Sequence, residues 1–273
     1  MKQRITDEQL REFFQENNLK GSVHYYTALG RKIRYISVGE KNLPTLFFIP
    51  GSPASVSLYK DYYKDPALLK RFRMLAVDRP GYGKSGYGEP EPSIQRQSEM
   101  IRPIIEGLQE ANKPVIICAG SYGASIACRL VMDHPNIAHG MVLDAPSLAP
   151  QQEKVFWLAP VAERSFLKWL LLPHQRVANT EKVHHTEELT KMLPLWKNIR
   201  IPVIYIQGEK DGMIYKSNAD FAKQQLVNCP HLQINFIPGQ EHFITIKQMP
   251  FIRNKILDMA NIVEREMLIA DYK

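Results

Sequence analysis

Apolar positions along this chain change their spacing repeatedly, and each change marks an element. Leu10, Phe13 and Phe14 recur at helical spacing, and Thr6 with Gln9 three residues on forms a capping box, so the chain opens with a short amphipathic helix. Runs at 22–29 and 32–38 flank Gly30 and read as a hairpin. Short apolar runs follow at 45–49, 73–77, 114–118, 140–143, 202–206 and 232–237. Between or after them lie helix-period segments near 56–63, from 93 to 112, from 124 onward, over 217–226 and from 244 to about 267. Strand and helix alternating at this spacing predict an α/β fold: a mostly parallel central sheet with helices on both faces. The leading hairpin adds an antiparallel edge.

The alternation stops between residues 146 and 198. This stretch has helical patches, no convincing β-branched strand, and all three tryptophans, Trp157, Trp169 and Trp196. It reads as a helical lid inserted after the sixth strand, with residues 1–145 and 199–273 forming the core domain. Phe156, Trp157, Leu158, Phe166 and Trp169 through Leu172 are apolar enough to line a pocket, although packing the lid onto the core explains most of them. On this reading the insertion sets substrate choice and contributes little to the chemical machinery.

The densest chemical signal is Ala119-Gly120-Ser121-Tyr122-Gly123, with a buried-strand run before it and a helix-period run after it. A small-x-Ser-x-Gly turn between strand and helix is a nucleophile elbow. Neighbouring chain crowds such a turn, so the residues two before and two after the serine must be nearly side-chain-free, as Ala119 and Gly123 are. The hydroxyl then stands at the positive end of a helix whose first N–H groups are unpaired. The alternative is an ordinary tight turn in which Ser121 caps the helix.

A serine hydroxyl needs a base, and the base needs an orienting acid. In an open parallel sheet these groups lie just past the carboxyl ends of later strands. Asp211 follows the 202–206 run and His242 follows the 232–237 run, in the chain order Ser, Asp, His that this architecture uses. Glu209 and Asp144 are competing carboxylates, the latter directly after the 140–143 run. Asp211 is favoured because its loop stands beside the loop of His242. Oxyanion donors are expected at the backbone N–H of Tyr122 and in the loop Pro50-Gly51-Ser52-Pro53, where neither proline can donate and Ser52 is the donor. Gly51 permits the unusual backbone such a loop needs. His184 and His185 are adjacent, so they diverge on a helix and share no metal. The remaining histidines read as surface or packing residues, and no metal or cofactor site is expected.

These segments resemble the α/β-hydrolase fold family, in the branch that carries a lid after the sixth strand. The markers are Pro50-Gly51-Ser52-Pro53, the turn Asp78-Arg79-Pro80-Gly81-Tyr82-Gly83-Lys84-Ser85, the elbow, Gly208-Glu209-Lys210-Asp211 and Glu241-His242-Phe243, covering the chain from about residue 21 to its last helix. The family's Asp78-type turn is structural and packs beside the elbow. The resemblance implies a serine hydrolase working through an acyl-enzyme: a carboxylic-ester hydrolase on a small or medium apolar acyl substrate first, then thioester, amide or C–C bond cleavage. A receptor-like protein of the same fold, or a lyase or acyltransferase on the same triad, are the rivals. Serine at the elbow sets the chain apart from dehalogenases and epoxide hydrolases, which use aspartate there. Two positions depart from the family pattern. Pro50 replaces the usual histidine before the oxyanion donor and removes one supporting hydrogen bond. Gly120 stands where a larger side chain is common, opening space beside Ser121.

Composition narrows the setting. The 273 residues are 44% hydrophobic and 23% charged, ordinary for one large globular domain with an insertion. The net charge of +7 is spread without a basic run or nucleic-acid motif, so no nucleic-acid partner is expected and the substrate is a small molecule. Cys118 and Cys128 fall in buried elements and Cys229 near a loop, which provides no disulfide framework. With no signal-peptide pattern and no run of membrane-spanning length, a cytoplasmic protein without stable membrane insertion is expected.

Overall fold

The computed structural model describes residues 4–108, 113–154, 159–164 and 170–271. Eight strands form one sheet: β1 (Gly21–Ala28), β2 (Arg31–Val38), β3 (Thr45–Ile49), β4 (Arg73–Val77), β5 (Val115–Gly120), β6 (Gly140–Asp144), β7 (Val203–Gly208) and β8 (Leu232–Ile237), in the order β1-β2-β4-β3-β5-β6-β7-β8. The hairpin β1–β2 and the pair β2–β4 are antiparallel, and every later pair is parallel. The expected α/β architecture with an antiparallel leading edge is therefore the one found.

Strand residues alternate between two cores, because successive Cβ atoms point to opposite faces. On one face Phe47, Ile49, Leu75, Val77, Ile117 and Leu143 pack with the helix Tyr122–Asp133. On the other, Leu46, Phe48, Met74, Ile116, Val142 and Ile204 pack with Ile252, Ile256 and Met259 of the last helix and with Tyr59, Tyr62 and Tyr63. Both faces being covered explains why β3, β5, β6 and β7 read as unbroken apolar runs. Phe48 stacks on Tyr59 with ring centroids 4.3 Å apart. Burial of one such ring contributes about 1.5–3 kcal/mol.

Several boundaries differ from the sequence reading. The first helix is as expected: Thr6 Oγ1 accepts from Gln9 N and Gln9 Oε1 from Thr6 N, closing the capping box. The 93–112 helix is observed over Ile94–Glu106 with Gly107 as its cap, and residues 109–112 lie outside the described residues. The 56–63 segment is a 3-10 turn, Val56–Tyr59, followed by one α turn, Lys60–Tyr63. The last helix is interrupted at Gln248, giving Ile244–Lys247 and then Met249–Asp271. Pro250 has no N–H with which to continue the first piece.

Between β6 and β7 the described helices are Ala159–Ala162, the long helix Pro173–Met192 and the 3-10 turn Leu193–Asn198, preceded by an irregular stretch in which Glu153 forms an antiparallel bridge with Ile214. Leu189, Met192 and Trp196 at its end are buried in the main core against the elbow helix. Trp157, Trp169, Phe156, Leu158 and Phe166, named above as pocket-lining candidates, lie outside the described residues. Cys118 and Cys128 are buried, and all three cysteines are free thiols. Among the described residues no helix is long and apolar enough to cross a membrane.

Candidate active site

Strand β5 runs straight into the elbow. Ser121 has φ 49° and ψ −123°, a left-handed conformation that costs a non-glycine residue on the order of 1–3 kcal/mol and persists only where surrounding packing enforces it. The enforcement is visible on both sides. Ser121 N donates to Asp144 O at 2.9 Å, tying the turn to the end of β6. A Cβ added at Gly123 would lie 2.5 Å from Ile49 O and 2.6 Å from Pro50 O, so only glycine lets the elbow helix approach the loop after β3.

The three residues expected to act together are brought together. His242 Nε2 lies 3.1 Å from Ser121 Oγ, and His242 Nδ1 lies 2.9 Å from Asp211 Oδ2. The Asp211 side chain is fully buried, and its other oxygen accepts from the backbone N–H of Met213 and Ile214, both at 2.9 Å. Two amides thus fix the carboxylate while its second oxygen orients the imidazole. The competing carboxylates are engaged elsewhere. Glu209 Oε2 accepts from Gly239 N, stabilising the turn after β8. Asp144 Oδ2 accepts a hydrogen bond from Thr245 Oγ1, and no hydrogen bond joins it to His242.

Gly120 and Asp144 explain each other. A Cβ at Gly120 would sit 2.5 Å from Asp144 Oδ1, so the space that Gly120 was expected to open is filled by this buried carboxyl group. Burial pushes the Asp144 carboxyl up, an effect only partly offset by Thr245 and by the nearby His242. Gly51 has a reason different from the one expected. It is not among the residues with positive φ, but a Cβ there would lie 2.9 Å from the Ser121 Cβ and 3.0 Å from Gly120 O. Close approach of the loop to the serine, and not an unusual backbone angle, requires glycine. Ser52 and Tyr122 accordingly flank the serine, and among the described residues neither amide N–H is taken up by a protein acceptor.

Two cavities open onto Ser121. One, of about 470 Å³, lies under the insertion and is walled by Tyr122, Ala162, Leu171, Ala178, Met213 and Ile214. The other, of about 270 Å³, is bounded by Leu58, Asp144, His242, Phe243, Thr245 and Ile246. Ser52 and Ser121 border both, whereas His242 borders only the smaller.

Two polar clusters under the insertion were not anticipated. His185 Nδ1 lies 2.9 Å from Glu153 Oε1 and its Nε2 lies 3.1 Å from Ser125 Oγ, a second serine–histidine–carboxylate chain one helical turn past the elbow. Both Ser125 and His185 are fully buried, and the Ser125 hydroxyl donates to Ser147 O, so this serine presents no free nucleophile, although Glu153 at the far end borders the larger cavity. Burial alone would raise the Glu153 carboxyl, but His185 and Lys182 outweigh it and hold it at about 2. The second cluster joins Arg79 and Tyr82 of the turn after β4 to Glu181 of the insertion helix, with Arg79 Nη1 2.6 Å and Tyr82 OH 2.7 Å from its carboxylate oxygens. Only Arg79 and Tyr82 stood inside a recognisable motif; Glu181 and His185 carried no sequence signal beyond being polar residues on a helix. His184 bonds Thr180 O, apart from the partners of His185, as their adjacency implied. The turn after β4 acts structurally: Asp78 accepts from Val56 N, Lys84 N and Arg34 Nε. Among the described residues no group of three or more His, Cys, Asp or Glu side chains is arranged to hold a metal.

Similarity to other proteins follows this geometry. A rice protein (Oryza sativa subsp. japonica) named "Probable 1-acylglycerol-3-phosphate O-acyltransferase" is 25% identical over 134 residues, 46% of this chain, and the chain spans only 31% of that relative's length. In three dimensions the chain resembles a bacterial membrane phospholipase A described as a virulence factor, with a TM-score of 0.70 and 16% identity over 94% of this chain and 90% of the other. It likewise resembles the enol-lactonase of Burkholderia xenovorans LB400, with a TM-score of 0.70 and 16% identity over 87% of this chain and all of that one (100%). At such identity the structural likeness establishes the fold. Residues 44–186, just over half the chain and including the loop after β3 and the elbow, match the alpha/beta hydrolase fold family, and the chain belongs to that family.

Proposed function

We propose that this protein is a serine hydrolase that cleaves carboxylic esters through an acyl-enzyme on Ser121. The observation that carries the reading is the hydrogen-bonded chain Asp211–His242–Ser121 at a strained turn that opens onto two cavities. His242 Nε2 takes the hydroxyl proton as Ser121 Oγ attacks the ester carbonyl, and Asp211 holds the Nδ1–H and stabilises the imidazolium. Backbone N–H groups of Ser52 and Tyr122 receive the oxyanion. His242 then returns the proton to the leaving alkoxide, which departs as an alcohol. Water next attacks the acyl carbonyl, with His242 again the base, and the acid is released. All of these groups belong to the chain, and the reaction needs no cofactor.

The position of His242 supports an assignment of the cavities. The leaving oxygen must receive its proton from His242, so the alcohol portion would occupy the smaller cavity and the acyl portion the larger, whose wall combines Ala162, Leu171, Ala178, Met213 and Ile214 with polar residues such as Lys154, Gln175 and Lys182. In this reading residues 146–198 form a lid over the core of residues 1–145 and 199–273, and the lid sets the preferred acyl group. Phospholipase A and lactonase, the names of two structural relatives, both denote cleavage of carboxylic esters. Free thiols fit a reducing, cytoplasmic setting.

The test is a profile of p-nitrophenyl esters, thioesters and anilides of graded acyl length, run on the wild-type protein and on Ala178→Leu, which adds side chain to the larger cavity. Esters should lead. Ala178→Leu should shift the ranking toward shorter acyl groups by roughly 10–200-fold, the discrimination available to an apolar pocket. A clear preference for amides or thioesters would reject the ester assignment, and an unchanged acyl ranking would reject the assignment of the cavity.

A further inference from the structure

We propose that Glu181 of the insertion helix, acting through Tyr82 and Arg79, is a positioning residue that locks the oxyanion loop against Ser121. The proposal rests on the hydrolase reading above and adds residues to it. The loop Pro50-Gly51-Ser52 is gripped at both ends. Arg79 Nε donates to Pro50 O at 2.7 Å, and the Ser52 hydroxyl lies 2.7 Å from Tyr82 OH. Both gripping side chains end on the same carboxylate. Arg79 Nη1 donates to Glu181 Oε1 at 2.6 Å, where Gln97 Nε2 also donates at 3.0 Å, and Tyr82 OH donates to Glu181 Oε2 at 2.7 Å.

The direction of these bonds is determined by proton count. Tyr82 has one hydroxyl proton, and Glu181, acceptor-only when ionised, takes it. Tyr82 oxygen can then only accept from Ser52, so the Ser52 hydroxyl points its proton toward Tyr82 and away from the serine nucleophile. Burial pushes the Tyr82 phenol well up, which keeps that proton in place. The side chain of Ser52 is thereby committed to holding the loop, leaving its backbone N–H as the group that faces the reacting oxygen. Arg79, Tyr82 and Glu181 are each at most 1% exposed, so the chain operates out of water, where charge-assisted hydrogen bonds hold geometry most strongly.

This arrangement answers the substitution of Pro50 for the family's usual histidine. The support that a histidine side chain would supply from within the loop comes here from Arg79 beneath it. The second consequence concerns the insertion. A carboxylate 102 residues from Arg79 in sequence completes the clamp, so the insertion contributes to the chemical machinery as well as to substrate choice.

An ion pair that merely pinned the insertion to the core would need Arg79 and Glu181 alone. The branch through Tyr82 to Ser52 makes the difference measurable. Glu181→Gln strands a buried guanidinium and endangers folding, so the test uses Tyr82→Phe and Ser52→Ala, neither of which breaks the ion pair. Ester hydrolysis is read as separate kcat and KM, alongside inhibition by an alkyl boronic acid, whose serine adduct is a tetrahedral anion. Tyr82→Phe should lower kcat by about tenfold, a fraction of the 10²–10³ lost when an oxyanion donor is removed outright. KM should stay within about twofold and boronate affinity should fall in step with kcat. Ser52→Ala, which keeps its N–H, should match it, and the double variant should be no worse than either single one. Unchanged kcat and boronate affinity in folded Tyr82→Phe overturns the proposal, as does a loss of thermal stability with boronate affinity intact. Absence of both turnover and boronate binding in the wild-type protein overturns the hydrolase reading, and this proposal with it.

Discussion

Ser121→Ala and His242→Ala should each lower ester turnover by on the order of 10⁴-fold or more, and the double variant should be scarcely worse. The reasoning is that the two side chains work as one unit across a 3.1 Å contact. A histidine without the hydroxyl has nothing to deprotonate, and a hydroxyl without the histidine stays at its ordinary, unreactive pKa. Independent effects that multiplied in the double variant would show that two separate processes had been disturbed. Both variants should fold. Ser121→Ala removes one oxygen at a turn held by Asp144 O and the glycines around it, and His242 sits in a loop at the cavity rim. Melting temperatures close to wild type are therefore part of the expected result. Near-normal turnover in folded Ser121→Ala contradicts the mechanism outright.

Asp211→Asn should be nearly as damaging, with a loss of about 10⁴-fold in kcat at neutral pH. The amide keeps the shape of the side chain but removes the charge that stabilises the imidazolium, and it can present an N–H where Nδ1 requires an acceptor. Its Oδ1 side still satisfies Met213 N and Ile214 N, so the fold has little reason to change. Asp144→Asn should leave turnover largely intact, because Asp144 is bonded to Thr245 and packed on Gly120 instead of His242. Glu209→Gln, exposed and bonded to Gly239 N, should do less still. Measurement of kcat for the three variants at one pH separates them. Loss in Asp144→Asn with activity in Asp211→Asn would move the acid to the end of β6 while leaving Ser121 and His242 in place.

Features written in neighbouring residues were legible from the chain alone. The capping box at Thr6, the eight strands, the elbow, and the placement of Asp211 and His242 each just past an apolar run are signalled within short windows, by periodicity or by the end of such a run. Sequence favours Asp211 over Asp144 without separating them, since both follow strands and only the three-dimensional path of the loops tells them apart. In sequence Gly51 reads as a need for backbone freedom and Gly120 as open space beside Ser121, whereas each is required by what approaches it, Ser121 in one case and Asp144 in the other. Contacts between distant segments left no trace. Glu181 meets Arg79 and Tyr82, and His185 meets Glu153 and Ser125, across separations of tens of residues. Such pairs have no period, and a buried carboxylate on a helix looks in sequence like a solvated one.

The insertion is where sequence reading stopped. Its tryptophans suggested a single apolar lid, yet Trp196 is buried in the main core beneath the elbow helix. Its polar residues proved as informative as its aromatic ones, because Glu181 is linked through Tyr82 to Ser52 in the loop that faces Ser121.

The central claim is that Ser121 is a nucleophile activated by the folded site. It is tested most directly by treating the native protein with a fluorophosphonate, following ester turnover, and mapping the adduct by peptide mass spectrometry. The account predicts a single phosphonyl adduct on Ser121, formed in step with loss of turnover and absent from His242→Ala and from heat-denatured protein. Complete inactivation with the adduct on another residue, or full turnover with Ser121 unmodified after prolonged exposure, would contradict it.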